Sequence, residues 1–273
     1  MNTLRTGCQW AGAEPKGAGR DTILTGGASP LRFSRSRPGR GSMETKPRIS
    51  VFFPMHNEED NVRRTVGDAV AALERLASEF EIIVVNDGSA DGTGEIAAEL
   101  AAADARIRVV VHPRNRGYGA ALRSGIGAAR LDLVAFADGD GQFDMRELEF
   151  LLEALPGNDM VIGYRIRRAD PWHRTLNARA WGVLIGILFG VRPRDLDCGF
   201  KLFRRNAVQG LELESEGAFI STELLAKAKR ADLKIAQVGV HHYPRRAGAS
   251  TGNSPAVVAK AFRELVAFRR RLR

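Results

Sequence analysis

The chain has 273 residues, 44% of them hydrophobic and 27% charged, with a formal net charge of +9; this suits one substantial core rather than a disordered or fibrous polymer. Its two cysteines, Cys8 and Cys198, exclude a disulfide framework and have no metal-ligand spacing, which points to a reducing, cytoplasmic setting. The longest apolar run, Ala180 to Val191, is too short to span a bilayer, where about 20 residues are needed.

Residues 1–44 are rich in Gly, Ser and Arg; within 1–43, Arg5, Lys16, Arg20, Arg32, Arg35, Arg37 and Arg40 are set against Glu14 and Asp21. This stretch holds about half of the excess charge and shows no hydrophobic periodicity, so a disordered basic leader is expected. It lacks the apolar centre of a signal peptide. Much of the charge therefore lies outside the folded part, and aromatic residues are not interleaved with the basic ones. A nucleic-acid partner is not indicated.

A folded domain is expected over 45–252. Ile49–Phe53 reads as a strand ended by Pro54. Residues 58–78 follow with helical spacing (Val62, Val66, Val70, Leu73, Leu76) behind an acidic first turn, Glu58, Glu59 and Asp60, that suits the helix dipole. Glu81–Val85 is a second strand, running into Asn86-Asp87-Gly88-Ser89 and then an Ala-rich helix to about residue 103. Ile107–Val111 is a third strand, before a Gly-punctuated helix over 117–129. Leu133-Val134-Ala135-Phe136-Ala137 has the length of a buried strand and delivers Asp138-Gly139-Asp140-Gly141-Gln142 at its C-terminal end. A helix over 145–155 and a strand over 159–163 follow. Alternating strands and helices with short links predict parallel βαβ units, an α/β doubly wound sheet in a single domain.

The second half is less regular. It reads as a helix over 172–191, a strand over 199–203, a helix over 221–231 and a strand over 234–240. A basic amphipathic helix over 255–272 lies within a C-terminal segment, 253–273. In the first of these helices Trp181, Leu184, Ile185, Leu188 and Phe189 share one face, while Gly182, Val183, Gly186, Ile187 and Gly190 make the other apolar or small as well. A helix apolar all round is ordinarily buried. Its flanking Arg174, Arg179, Arg192 and Arg194 leave a helix resting at a lipid interface as the alternative. The last helix combines Phe262, Leu265, Val266 and Phe268 with Arg263, Arg269, Arg270, Arg271 and Arg273, which suits either a solvated face or a membrane surface.

Ligand crevices of open α/β sheets lie beyond the C-terminal ends of the strands. Polar clusters occupy those ends in order: Asn57-Glu58, Asn86-Asp87, Arg114-Asn115-Arg116-Gly117 and Asp138-x-Asp140. Paired hard oxygen ligands suit a divalent cation that substrate phosphates also hold. Asp87 stands where a carboxylate accepts a hydrogen bond from a base-ring N–H, or caps the next helix. Neither a dinucleotide Gly-x-Gly-x-x-Gly in its required place nor a Walker loop is present.

Phe53-Pro54-Met55-His56-Asn57-Glu58-Glu59, Val84-Val85-Asn86-Asp87-Gly88-Ser89-Ala90-Asp91-Gly92-Thr93, Asn115-Arg116-Gly117-Tyr118-Gly119-Ala120-Ala121, Asp138-Gly139-Asp140-Gly141-Gln142 and Asp197-Cys198-Gly199-Phe200-Lys201 resemble successive motifs of glycosyltransferase family 2. Within it the chain looks most like the dolichyl- or undecaprenyl-phosphate sugar transferases of the dolichol-phosphate mannose synthase type. The resemblance covers about residues 47–252 and implies a GT-A fold, with a mixed, mostly parallel sheet flanked by helices. It also implies a nucleotide-sugar donor, Mg²⁺ or Mn²⁺, and a lipid-phosphate acceptor. By position it implies that Pro54, Asn57, Glu58, Asp87, Arg116 and Gly117 hold the nucleotide. Asp138 would meet the donor's ribose or sugar, and Asp138, Asp140 and Gln142 make the metal set. Gly163-Tyr164-Arg165, Arg174 and Arg245 supply cations at the phosphates, with Asp138, Asp140, Arg165, Arg174 and Arg245 as the catalytic group. Val240 to Ser250 resembles a late loop that closes over the donor diphosphate. Gly139 stands where small residues such as Ala are usual.

A sugar leaves a nucleoside diphosphate through an oxocarbenium-like transition state, and negative charge builds on the leaving group. Cations are therefore the main requirement. A lipid monophosphate is already an anionic nucleophile, so an inverting transfer needs no dedicated base. A saccharide hydroxyl acceptor, the alternative, would need one; Glu223 is the candidate, with Lys201 also on the acceptor side. The enzyme is expected to be peripheral at the cytoplasmic face of a membrane, or to work with a separate membrane protein.

Overall fold

In chain order the computed structural model contains β1 (Phe33–Ser34), β2 (Arg48–Met55), α1 (Glu59–Leu76), β3 (Glu79–Asn86), α2 (Thr93–Ala103), β4 (Ile107–Val111), α3 (Tyr118–Ala128), β5 (Leu133–Ala137), α4 (Leu148–Ala154), β6 (Met160–Arg165), α5 (Trp172–Phe189), β7 (Phe200–Arg204), α6 (Arg205–Gln209), α7 (Ile220–Arg230), β8 (Ile235–Val240) and α8 (Pro255–Arg271). The structure describes residues 33–34, 45–166, 172–191, 193–245 and 255–271, with 33–34, 172–179 and 255–258 described by backbone alone. The expected leader over 1–44 lies outside the described residues, apart from β1, where Phe33 pairs with Ile235 and Ser34 with Ala236. Residues 246–250 of the late loop lie outside them as well.

The strands form one sheet in the order β1-β8-β6-β7-β5-β2-β3-β4. Neighbours are parallel except where β7 is involved; it runs antiparallel to both β5 and β6. The sheet is therefore mixed and mostly parallel, as the βαβ pattern predicts. Strand side chains alternate between two cores, because successive Cβ atoms point to opposite faces. Val51 and Phe53 of β2, Ile82 and Val84 of β3, and Ala135 of β5 pack with Val62, Val66 and Leu73 of α1 and Leu148 and Leu151 of α4. Phe52, Ile83, Val85, Val134 and Phe136 face the other way, onto Leu122 and Ile126 of α3, Ile185 of α5, Leu224 and Leu225 of α7, and Phe268 of α8. Phe52, Phe136 and Phe203 stack across β2, β5 and β7 at ring separations of 5.4 and 6.0 Å. Cys198 is a buried, free thiol.

Pro54 does not end its strand. It pairs with Val85 inside β2, and Met55 extends the ladder to Asn86. Pairing of β2 with β5 stops earlier, at Phe52 and Phe136, and a proline without an N–H is tolerated where a ladder has already ended. The other difference is α5. Ile185 is buried, but Val183 and Ile187 are exposed, so this helix is covered on one side and not all round.

Near the beginnings of β2 and β3, Ser50 and Glu81 form a buried polar anchor. Glu81 accepts from Ser50 Oγ (2.7 Å), Arg108 Nη1 (2.7 Å) and the N–H of Arg130 (2.8 Å), while Ser50 Oγ accepts from the N–H of Leu131 (3.0 Å). Burial pushes the Glu81 carboxyl up, but the bonds from Ser50 and Arg108 outweigh it and hold it below the ordinary glutamate range. Glu81→Ala strands Arg108 and a backbone donor, and should cost about 3 kcal/mol by chemical denaturation. A group with a depressed pKa stabilises above its unfolded value, so the wild-type advantage should shrink as pH falls through the glutamate range.

Candidate active site

β2, β3 and β4 end abreast, with Met55 opposite Asn86 and Asn86 opposite Val111, so the residues that follow each strand meet. Asp87 is 3% exposed and is gripped by its own chain. Its Oδ1 lies 2.6 Å from His112 Nδ1 and accepts from the N–H of Arg116 at 3.0 Å; Oδ2 accepts from the N–H of Gly117 at 2.8 Å. An ionised carboxylate only accepts, so Nδ1 carries the proton, and Nε2 lies 2.8 Å from Ser124 Oγ. Asp87 thus fixes the loop before α3, with about one of its four lone-pair positions left over among the described residues. It does not cap α2, whose Thr93 N–H donates to Asp91 (3.1 Å).

Asn57, at φ 56°, stitches this corner together. Its Oδ1 accepts from the N–H of Ala90 (2.9 Å), and its own N–H donates to Ser89 Oγ (3.0 Å). Glu58 donates its N–H to Thr93 Oγ1 (2.8 Å) and accepts from Asn61 Nδ2 (2.7 Å). Pro54, expected at the nucleotide, is buried within β2.

The Asp138–Gln142 turn is packed as tightly. Tyr118, the first residue of α3, donates its hydroxyl to Asp138 Oδ1 (2.9 Å). Burial first, then the charge of Asp140, push the Asp138 carboxyl up to about 6. Gly199 backs onto it: the N–H of Asp138 donates to the Gly199 carbonyl (3.1 Å), and a Cβ at 199 would run into the carboxylate. Gly139, the departure from the small-residue pattern, is matched to Met55, whose Cγ lies 2.5 Å from where a Cβ would sit.

Arg245 joins the two acidic clusters. Its Nη1 donates to Glu58 Oε1 (3.0 Å) and its Nη2 to Asp140 Oδ2 (2.8 Å). Its Nε is buried with no acceptor among the described residues. The segment leading to it is laid along the turn. The N–H of Tyr243 donates to the Gln142 carbonyl (2.9 Å) and Gln142 Nε2 to the Tyr243 carbonyl (2.7 Å). Directly after β8, His241 reaches Glu147 through its N–H (2.8 Å) and Nδ1 (2.5 Å).

Other expected site residues are placed differently. Arg165 is held bidentately by Asp195, Nε at 2.6 Å and Nη2 at 2.9 Å, so it stands at the site as half of an ion pair. The Arg174 side chain lies outside the described residues. Lys201 is fully buried rather than on an acceptor surface. Its ammonium donates to the Cys198 carbonyl, burial lowers its pKa, and its charge acts on Asp138 from beneath. Glu223 is also fully buried. It accepts from the N–H groups of Glu214 (2.9 Å) and Ser215 (2.7 Å) and pairs with Lys227 (2.9 Å), which makes it a loop anchor instead of an acceptor-side base. The loop it anchors caps α3, since the Glu216 carbonyl accepts from the N–H of Gly119 (2.9 Å).

Among the described residues no three or more His, Cys, Asp or Glu side chains converge as a ready-made metal site. The donor set nevertheless fits Mg²⁺ or Mn²⁺. Asp140 already binds a cationic group, the Arg245 guanidinium, and hard carboxylates completed by substrate phosphates are how such ions are commonly held.

The family model for glycosyl transferase family 2 matches residues 50–211. The chain belongs to that family. Among curated relatives, the glycosyltransferase AglD of Haloferax volcanii is 38% identical over 207 residues, which are 72% of this chain and 33% of AglD. Polyprenol monophosphomannose synthase of Mycolicibacterium smegmatis is 31% identical over 216 residues, 74% of this chain and 80% of the synthase. The chain spans between 33% and 61% of the length of the first curated relatives it matches. Among solved structures, glucosyl-3-phosphoglycerate synthase of Mycobacterium tuberculosis in complex with uridine diphosphate superposes with a TM-score of 0.65 at 25% identity, covering 87% of each chain. The sheet and its flanking helices are thus the GT-A fold of this glycosyltransferase family.

His112, Tyr118, Glu147 and Asp195 are the site residues that sequence reasoning misses. His112 follows the third strand as Asp87 follows the second, so inspecting every strand end finds it; Tyr118 lies inside the Asn115–Ala121 motif, and Glu147 and Asp195 carry no local signal. Tyr118→Phe removes a bond that favours ionised Asp138. In the metal-free protein this should move the Asp138 carboxyl titration further above its value of about 6, read by carboxyl-carbon NMR.

Proposed function

We propose that this family 2 glycosyltransferase moves a hexosyl group, with inversion, from a nucleotide sugar of the GDP-mannose or UDP-glucose type to a polyprenyl phosphate. The observation that carries this reading is the Arg245 guanidinium, held between Glu58 and Asp140 with its Nε–H left over. A diphosphate oxygen is the acceptor that N–H suits, at the strand ends where ligands of this sheet class bind. The name of the mycolicibacterial relative supports the acceptor class, and the uridine diphosphate of the structural neighbour supports the donor class.

In this mechanism the nucleoside lies against the Asp87-anchored loop, beside Asn57, Glu58, Arg116 and Gly117. Asp138, oriented by Tyr118 and Gly199, faces the donor's ribose or sugar. Asp138, Asp140 and Gln142 would hold Mg²⁺ or Mn²⁺, which would supply positive charge at the diphosphate. As the glycosidic bond breaks, negative charge grows on the departing phosphate, and Arg245 is placed to stabilise it. The lipid phosphate attacks as an anion. No proton has to be removed from it, which accords with Glu223 being spent on the 214–215 backbone. A lipid acceptor brings the enzyme to a membrane. No described helix is long and apolar enough to cross one, and we take the protein to be peripheral, at the cytoplasmic face.

Incubation with radiolabelled UDP-glucose or GDP-mannose, polyprenyl phosphate and Mn²⁺ should move label into a butanol-extractable product, stable to mild base and labile to mild acid. Label appearing in saccharide and not in lipid would overturn the acceptor assignment. Asp140→Asn should lower kcat/KM by at least about 100-fold with its circular dichroism spectrum unchanged; undiminished turnover would remove Asp140 from the mechanism.

A further inference from the structure

The main chain of Asp87 is pinned without any help from its carboxylate. Its N–H donates to the Met55 carbonyl (2.9 Å), and its carbonyl accepts from His56 Nδ1 (3.0 Å). His112 is tied in the same way, through its N–H to the Asn86 carbonyl (2.9 Å). Both strand ends are therefore fixed independently of the contact between the two side chains. What that contact settles is the direction in which the carboxylate points.

The contact is the middle of a longer chain. His112 Nδ1 lies 2.6 Å from Asp87 Oδ1, and Nε2 lies 2.8 Å from Ser124 Oγ on α3. A neutral imidazole carries one proton, so it donates to Asp87 only while Nε2 accepts. Ser124 donates to Nε2 and keeps that proton on Nδ1. The Asp87 and His112 side chains are each 5% exposed. A buried polar pair of this kind adds little net stability over apolar residues of similar volume. Its place at the strand ends, where ligands of this sheet class bind, points to orientation rather than to holding the fold.

Three donors converge on the carboxylate: His112 Nδ1–H and the N–H groups of Arg116 and Gly117. They hold it as an acceptor only. Such a group suits a base whose ring edge presents an N–H, as uracil does at N3 and guanine at N1. Cytosine and adenine present a lone pair at those places, and two acceptors repel.

We propose that His112 and Ser124 are positioning residues that aim Asp87 and thereby set the selectivity of the donor site for a nucleoside with a ring N–H. The proposal rests on the nucleotide-sugar reading and adds the residues that decide which bases are refused.

Calorimetry of the full chain with Mn²⁺ tests this, using uridine and guanosine diphosphates and their 3-methyluridine and 1-methylguanosine counterparts, which lack the ring N–H. The wild type should bind one parent nucleotide at least about tenfold more tightly than its methylated form. His112→Leu should weaken the parent by at least about tenfold and bring the two forms within about threefold of each other. His112→Asn, whose amide places an N–H near the Nδ1 position, should recover most of the discrimination. At saturating acceptor, the rise in donor KM of His112→Leu should exceed any fall in kcat. Ser124 is only partly buried, so Ser124→Ala carries the test where His112→Leu does not fold; it should lose at least about threefold of the discrimination. An undiminished ratio of parent to methylated nucleotide in the folded variants would overturn the proposal and leave the pair a structural brace. So would a wild type that binds both forms alike, with the transferase reading untouched. Binding of neither parent by the wild type would remove the transferase reading and the proposal with it.

Discussion

Parallel register is the constraint on which this site depends. Met55, Asn86 and Val111 stand side by side in the ladder, so whatever follows them is delivered to one edge at one height. A shift of one residue in β3 would turn Ile83 and Val85 toward the wrong core and carry Asp87 away from His112 and Gly117. The alternation of buried side chains between the two faces of the sheet is what forbids that slip. Core packing and ligand geometry are set here by the same pairing.

Most of the edge is occupied by its own chain. Asp87 spends its oxygens on His112, Arg116 and Gly117; Arg165 is held by Asp195; Gln142 is laced to Tyr243. Groups already fixed by neighbours do not have to be ordered when a ligand arrives, which is the meaning of electrostatic preorganisation. Arg245 differs. It spans Glu58 and Asp140, 187 and 105 residues away in sequence, and its Nε–H has no acceptor among the described residues. The buried Lys201 and half-buried Asp138 add a second, deeper charge pair whose pKa values burial moves toward each other.

The sequence makes the strands, the helices and the run of polar strand ends readable, because apolar period and glycine punctuation are local signals. The α5 and α8 stripes were readable too, although which face stays bare depends on how the helices dock. Partnerships made across the fold are not readable. Nothing near Glu223 in the chain announces that it will be sunk beneath the 214–215 backbone, and nothing near Lys201 announces burial under Phe136. Both residues look like available charges in a list of motifs. Arg165 and Asp195 are likewise separated by the whole of α5, and Tyr118 reaches Asp138 only after α3 has packed on the sheet. Pro54 misleads for the opposite reason: a local rule about proline is overridden by a ladder that has already stopped on one side.

The reversed direction of β7 has its own effect on where chemistry can be placed. Strands β2, β3, β4 and β5 contribute to the ligand edge whatever comes after them. An antiparallel neighbour contributes what comes before it, and so of Asp195, Cys198 and Gly199, which precede Phe200 in the chain, Gly199 accepts from the N–H of Asp138 and Asp195 grips Arg165. Had that strand run with the others, those residues would lie at the far rim, beside Ser50 and Glu81. One inverted ribbon in an otherwise one-way sheet thus opens the crevice to a stretch of polypeptide that direction alone would have excluded.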